Sequence, residues 1–501
     1  MTRKKPSPMI LAIDQGTTGT KAVLLDSQLK VVGEASREFP QHFPRPGWVE
    51  HDLEEIYRSV ESAVKALLAR ARIDPSRIAA VGITNQRETT ALWDKESGKA
   101  VYRAIVWQDR RTADACQRLQ KAGLEGVIQQ KTGLRLDPYF SGTKLAWILD
   151  NVSGARRKAE SGKLLFGTVD TYLTWRLTGG ASHITDISNA SRTLLMDLQS
   201  GDWSGSLLEI LKIPAPLLPE IRENDRIFGK THGTRILPDG IPIASVIGDQ
   251  QSALFGQACF SSGEAKCTYG TGAFLVMNTG QGIVRSQHGL ISTAAWKINK
   301  KPAYALEGST FIAGAIVQWL RDGLGLIRSS EDVEALARSV KGSEGLVLVP
   351  ALTGLGAPHW RPDAQGLITG ITRGTSAGHL ARAALEGIAF QIHDLVRAME
   401  KDLGRKLKTL KVDGGAARNN LLLQLQADIL GTSIVRPRIT STTALGTALL
   451  AGLTIGLFPS QSLIKKVWEE ERRFLPRMAS KERRELTARW NEAVEKAFRC
   501  P

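Results

Sequence analysis

Nothing constrains this chain more than a pattern it carries twice. Near the start, the apolar run MILAI reaches Asp14, passes through the Gly/Thr-rich DQGTTGT and resumes as KAVLLD. Around residue 241 the layout begins again. IPIASVIGD is an apolar run ending in a carboxylate, and AKCTYGTGAFLVMNTG puts another Thr/Gly turn between two apolar runs. Short apolar runs bounded by turn formers predict strands, and LKVVGEASREF adds one to the first set after a turn at Ser27-Gln28. Helical periodicity follows each set: LEEIYRSVESAVKALLARA in the first half, then HLARAALEGIAFQIHDLVRAME and NLLLQLQADILG in the second. Strands alternating with amphipathic helices predict an α/β fold. A strand meander followed by helices, twice over, predicts two lobes that meet near Ile247, with a cleft between them as the place for ligands. A length of 501 residues accommodates this, at roughly 100–200 residues per domain.

Composition removes several classes. Hydrophobic residues are 42% and charged residues 23%, which is globular rather than disordered. The longest apolar stretch, Ala448 to Phe458, is far short of a bilayer span, and MILAI stops at Asp14, too soon for a signal-peptide core. Neither membrane insertion nor secretion is expected. The four cysteines have no CxxC pair and no metal-like spacing with the eight histidines, which fits the reducing cytoplasm. The net charge of +16 invites a nucleic-acid reading. The bases are spread, however, and the densest stretch, Lys465 to Arg499, interleaves them with seven glutamates, as a solvated helix face does. A basic enzyme of small phosphorylated molecules fits better than a nucleic-acid binder.

Three Gly/Thr turns follow strands: DQGTTGTK at 14–21, YGTGAF at 269–274 and VDGGAARNN at 412–420. Small residues let the backbone approach an anion closely, with N–H groups converging on it. A tight turn alone explains any one of them, whereas three spread over both lobes point to phosphate. No P-loop and no complete GxGxxG is present. Asp14 and Asp249 sit at strand ends, where a carboxylate serves phosphoryl transfer by holding Mg²⁺ or by accepting a proton, or merely caps the next turn. Arg87-Glu88 in NQRETT can hydrogen-bond neighbouring hydroxyls, and the rings of Trp107 in IVWQDRRT and Tyr139 in DPYFSGTK can pack against C–H groups. The bland account is an exposed ion pair and two core aromatics.

Taken together, these motifs resemble the FGGY carbohydrate kinases, of the actin/Hsp70-like ATPase fold, and among them the glycerol kinases. The matching stretches run in family order from about residue 9 to 458. They include AIDQGTTGTKAVL, PGWVEHDLEEI, GITNQRETT, AIVWQDRRT, DPYFSGTK, ITDISNASRTLL, GDQQSALFGQ, YGTGAFLVMNTG, VPALTGLGAPHW and VDGGAARNNLLLQLQADILG. The resemblance implies two RNase H-like lobes around a central cleft, residues 1–247 and 248–460, with a helical tail over 461–501. It implies ATP-dependent phosphorylation of glycerol to sn-glycerol 3-phosphate, in a cytoplasmic homo-oligomer (dimer or tetramer). Arg87, Glu88, Trp107, Tyr139, Asp249, Gln250 and Phe274 are expected to line the glycerol pocket, with Asp249 as general base. Thr17, Thr18, Gly19 and Lys21 are expected at the nucleotide from the first lobe, and Thr271, Gly314, Gln318, Gly415 and Asn419 from the second. Asp14 is expected at Mg²⁺.

The chain departs from the family pattern in places. DQGTTGTK stands where DQGTTSSR is common, so Gly19 removes a hydroxyl and Lys21 keeps a charge without the planar arginine fork. GKTHGTRILP, from Gly229 to Pro238, matches the regulatory glycine-rich loop of some relatives poorly, so inhibition by a sugar bisphosphate is not expected. His359 in GAPHW replaces an aromatic residue and carries no functional reading. The competing readings are another polyol or sugar kinase of the same family, or a non-catalytic binder on the same fold.

Overall fold

A computed structural model describes residues 7–499. Two mixed sheets organise it. The first has strands β1 (Met9–Gln15), β2 (Gly19–Asp26), β3 (Val31–Glu38), β4 (Ile78–Asn85), β5 (Gly229–Lys230) and β6 (Pro242–Gly248), in the order β5-β6-β4-β1-β2-β3. The second has β7 (Ala265–Tyr269), β8 (Ala273–Gly280), β9 (Ile291–Ile298), β10 (Lys301–Thr310), β11 (Thr409–Asp413), β12 (Ser433–Pro437) and β13 (Glu470–Phe474), in the order β9-β10-β8-β7-β11-β12-β13. Each sheet is built on an antiparallel hairpin, β1–β2 or β7–β8, whose first strand also pairs in parallel with a later one, β4 or β11. The twice-carried sequence pattern is therefore a twice-built sheet.

Burial explains why the strands read as they do. β1 has Met9 to Ile13 inside, because helices cover both faces of its sheet. Helix α1 (Leu53–Ala71) covers one face with Ile56, Val60, Ala63, Val64 and Leu67. Asp52 caps it by accepting from the N–H groups of Glu54 and Glu55, and Arg72 ends it in the left-handed region.

Two helices lie between the lobes: α2 (Asp249–Gly256), which starts where β6 ends, and α5 (Thr442–Thr454). Between them in the chain run α3 (Ala377–Leu403) and α4 (Asn420–Leu430), which belong to the core under the second sheet. α2 and α5 touch backbone to backbone. A Cβ on Gly446 would stand 1.8 Å from Ser252 O, and one on Gly256 would stand 2.2 Å from Thr442 O. The Thr447 hydroxyl donates to Ile83 O at 3.1 Å, tying α5 to β4 of the first sheet.

The tail differs from the expected purely helical segment. Glu470–Phe474 pairs antiparallel with β12 and forms the sheet edge, and helix α6 (Ser480–Arg499) follows. The charge-rich α6 is also anchored rather than only solvated, because its buried Trp490 stacks on Phe390 with ring centroids 5.3 Å apart. The apolar run IAGAIVQWLRDGL forms a short α-helix, Gly314–Gln318, widened into a π turn over Trp319–Gly323. Cys116, Cys259 and Cys267 are buried free thiols, while Cys500 lies outside the described residues. No helix among the described residues is long and apolar enough to cross a membrane.

Candidate active site

The site forms where β4, β6 and the start of α2 meet β7, β8 and β10. β4 ends in Asn85, and the chain then turns sharply through Glu88, whose φ of +59° is a strained value for a residue with a side chain. That turn directs both Arg87 and Glu88 inward. Gly248 makes room for Arg87, since a Cβ there would meet the arginine stem at 2.8 Å.

Arg87 is the hub. Its Nη1 and Nη2 donate to Glu307 on β10 at 2.5 and 3.0 Å, and its Nε faces Asp249 Oδ1 at 3.0 Å. Arg192 completes the set, donating from Nε to Glu88 Oε1 at 2.6 Å and from Nη2 to Glu307 Oε1 at 3.0 Å. Four buried charges thus balance: two arginines against Glu88 and Glu307. Burial alone raises the Glu307 carboxyl, but Arg192 and Arg87 overcome it and hold that group down to about 2. Burial pushes Glu88 up, with Arg192 and Arg87 opposing. The exposed-ion-pair reading of Arg87-Glu88 is excluded, as both are buried.

Aromatic rings wall the pocket beside this network. Trp107 packs edge-on against Tyr139 at 5.7 Å and Phe274 at 6.3 Å between centroids. Its indole N–H donates to Thr17 Oγ1 at 2.9 Å, which joins the polyol motif to the first phosphate turn. The loop under Trp107 is braced from within WQDRRT. Asp109 accepts from Val49 N at 2.6 Å and pairs with Arg111, whose guanidinium lies 3.7 Å over the Trp48 ring.

Asp249 opens α2, and its Oδ1 also accepts from the Gln250 N–H at 2.7 Å. One hydrogen bond and one ion-pair neighbour therefore engage the same carboxylate oxygen, and Oδ2 has no partner among the described residues. Gln250 sits against Lys266 of β7. Asp14 lies close enough for its titration to respond to Asp249. Burial first, then that neighbouring charge, push Asp14 up to about 7, with Lys21 opposing.

The turns assigned to nucleotide are each fixed by close backbone contacts. In the first lobe, Gly16 N bonds Gly19 O at 2.9 Å, closing the hairpin tip. Gly19 has a packing reason beside any functional one, since a Cβ there would meet Arg37 O at 2.8 Å. Lys21 is already engaged, by Glu34 at 2.8 Å and Ser441 Oγ at 2.8 Å. In the second lobe, Gly314 N bonds Gly270 O at 2.9 Å, so the YGTG turn with Thr271 lies on the start of the Gly314–Gln318 helix, and Gln318 is exposed one turn along. Gly414, with φ +90°, lies against the Tyr269 backbone, and the following Gly415 is exposed with open space where a Cβ would stand. Asn419 Oδ1 is the N-cap of α4, accepting from Leu422 N at 2.9 Å.

Three members of the site escape a reading from motifs: Arg192, Glu307 and Lys266. Each is a lone charge in an otherwise small or apolar run (SNASRTLL, PAYALEG, AKCTY), and that is the one signal the sequence offers for them. His359 lies outside the site, 3.3 Å from Asp394 and beside Phe498.

Comparison with known proteins agrees with this architecture. The N-terminal domain of the FGGY family of carbohydrate kinases matches residues 9–256, and the C-terminal domain matches 265–455. A glycerol kinase of Myxococcus xanthus is 57% identical over 490 residues, covering 97% of this chain and 99% of that one. A glycerol kinase of Bdellovibrio bacteriovorus is 52% identical over 98% of this chain and 99% of that one. The crystal structure of Plasmodium falciparum glycerol kinase with ADP superposes with a TM-score of 0.92 at 38% identity, covering 98% of both chains. The chain therefore belongs to the FGGY family of carbohydrate kinases, among its glycerol kinases.

Proposed function

We propose that the chain transfers the γ-phosphoryl group of ATP to a terminal hydroxyl of glycerol, giving sn-glycerol 3-phosphate and ADP. The observation that carries this reading is the state of Asp249: Oδ1 faces Arg87 Nε and accepts from the Gln250 N–H, Oδ2 has no partner among the described residues, and Arg192 of the same charge network lies 5.5 Å from the Tyr139 ring centroid, beside Trp107. The glycerol kinase relatives supply the substrate class.

A terminal hydroxyl of glycerol attacks the γ-phosphorus and forms the new O–P bond. The bond from that phosphorus to the β,γ-bridging oxygen breaks, and its electron pair leaves with ADP. The hydroxyl proton passes to Asp249 Oδ2, which acts as general base. Glu88 offers its second oxygen, and Gln250 its amide, to the other hydroxyls, while Trp107, Tyr139 and Phe274 enclose the carbon chain. Thr17, Thr18 and Gly19 face the phosphates from one lobe; Thr271, Gly314, Gln318, Gly415 and Asn419 hold the nucleotide from the other. Lys21 contributes charge, in company with Glu34. Alignment of hydroxyl and phosphorus supplies most of the acceleration, and lobe closure keeps water out.

The residues present also fit Mg²⁺. The Asp14 carboxylate has no hydrogen-bond or ion-pair partner among the described residues, and burial and Asp249 disfavour its charge in a way that a hard divalent ion would offset. No cluster of three or more ligating side chains exists among those residues, which suits an ion held by one or two carboxylates together with substrate phosphates. Bound there, Mg²⁺ supplies neutralisation of the phosphate charge.

A coupled ATP-consumption assay across glycerol, dihydroxyacetone, xylulose and erythritol tests the reading. Turnover with glycerol is expected. Turnover with the pentulose but not with glycerol overturns it.

A further inference from the structure

Lys266 lies on β7, in the lobe that carries the YGTG turn, and it is completely buried. Its ammonium group donates to two atoms, Gln250 Oε1 on α2 and Thr268 Oγ1 at 2.8 Å on its own strand. Lysine has three donors and no acceptor, so the Gln250 atom facing it must be the amide oxygen. The choice between the two ends of that amide is therefore made by chemistry. With Oε1 taken, Nε2 points the other way, and it has no partner among the described residues. The backbone N–H of the same glutamine holds Asp249 Oδ1 at 2.7 Å. Burial disfavours the lysine charge, but Asp413 and, more weakly, Asp249 and Glu307 support it.

We infer that Lys266 is a positioning residue: it turns the Gln250 amide so that its NH₂ group faces the polyol pocket and meets substrate only as a donor. This role rests on the reading of Gln250 as a polyol contact. It extends a rule seen across the pocket. Glu88 has one oxygen held by Arg192, Asp249 has one held by Arg87, and Gln250 has its oxygen held by Lys266. Each presents its remaining atom to the substrate in a fixed role, two as acceptors and one as donor.

The test is a double-mutant cycle of K266M and Q250A, read as KM for glycerol, KM for ATP and kcat, with melting temperatures alongside. K266M is expected to raise the glycerol KM about 5- to 50-fold, the loss of one oriented hydrogen bond, with the ATP KM within about twofold. Q250A is expected to do the same, and the double variant to be no worse than Q250A alone. Additive losses, or a K266M enzyme with unchanged glycerol KM, overturn the role of Lys266 while leaving Gln250 as a polyol contact. An unchanged glycerol KM in Q250A overturns that contact, and the role with it. Q250E covers the case in which K266M does not fold. It keeps Lys266 paired but offers only acceptors, so its glycerol KM must rise at least as far. A wild-type value there is equally fatal.

Discussion

Replacing Asp249 by asparagine isolates proton transfer from everything else at the site. The Gln250 N–H donates to Oδ1 at 2.7 Å, and Arg87 Nε stands 3.0 Å from the same oxygen. Both are donors, so the asparagine must present its oxygen to them and its NH₂ group where Oδ2 stood. Arg87 keeps its two bonds to Glu307, so no buried charge is stranded, and the cost in stability is expected to stay below about 1 kcal/mol. The NH₂ group still donates to a hydroxyl oxygen, which limits the change in glycerol affinity to about fivefold. It accepts no proton. The general-base contribution is lost, and kcat falls by about 10²–10⁴-fold, or ~3–5 kcal/mol in the barrier. The assay is steady-state ADP release, with glycerol binding measured by calorimetry in the presence of ADP. A kcat within tenfold of wild type removes Asp249 from the base role. Loss of glycerol binding in step with kcat, at unchanged melting temperature, makes it a binding residue instead.

Three further outcomes follow from the same geometry. Arg192→Met strips Glu88 of its 2.6 Å partner and Glu307 of one of two arginines, so it is expected to destabilise by about 3–5 kcal/mol in urea titration; loss of activity at wild-type stability would contradict this. Gly446→Ala puts a Cβ 1.8 Å from Ser252 O at the helix pair between the lobes, an overpacking of roughly 1–3 kcal/mol that a thermal melt should register. Burial and, second, Asp186 push the buried Asp170 carboxyl up to about 7, above its usual 3.8. The folded chain then holds a proton that the unfolded chain releases, so stability falls as pH rises from about 4 to 7, by up to roughly 4 kcal/mol. Asp170→Asn should flatten that window in pH-dependent denaturation, and an unchanged slope would contradict the assignment.

How much of the fold is legible in the sequence depends on the range of the interaction. Both hairpins read directly from it, because their strands are buried on both faces and so are continuously apolar, from Met9 to Ile13 and from Leu275 to Met277. The bounds of α1 follow from its apolar stripe and its Asp52 cap. The edge strand Glu470–Phe474 is different. It is EERRF, with only Phe474 buried, and backbone pairing to β12 alone makes it a strand. No local pattern announces it.

The site divides in the same way. Arg87, Glu88, Trp107 and Asp249 stand in motifs whose residue types speak for their chemistry. The residues that orient them come from far along the chain: Arg192 is 104 residues from Glu88, and Glu307 is 220 residues from Arg87. Convergence of that kind is a property of the folded lobes, and motif spacing carries no trace of it. A weaker signal is nevertheless present. Lys266 and Glu307 are charges of opposite sign inside the buried stretches of their strands, and an unpaired charge there is too costly to keep. An apolar strand with one charge in it therefore implies a polar partner, though not which one. Both partners, Gln250 and Arg87, contact Asp249, so the carboxylate is the point at which the two buried clusters meet, and long-range packing rather than any one motif assembles the site.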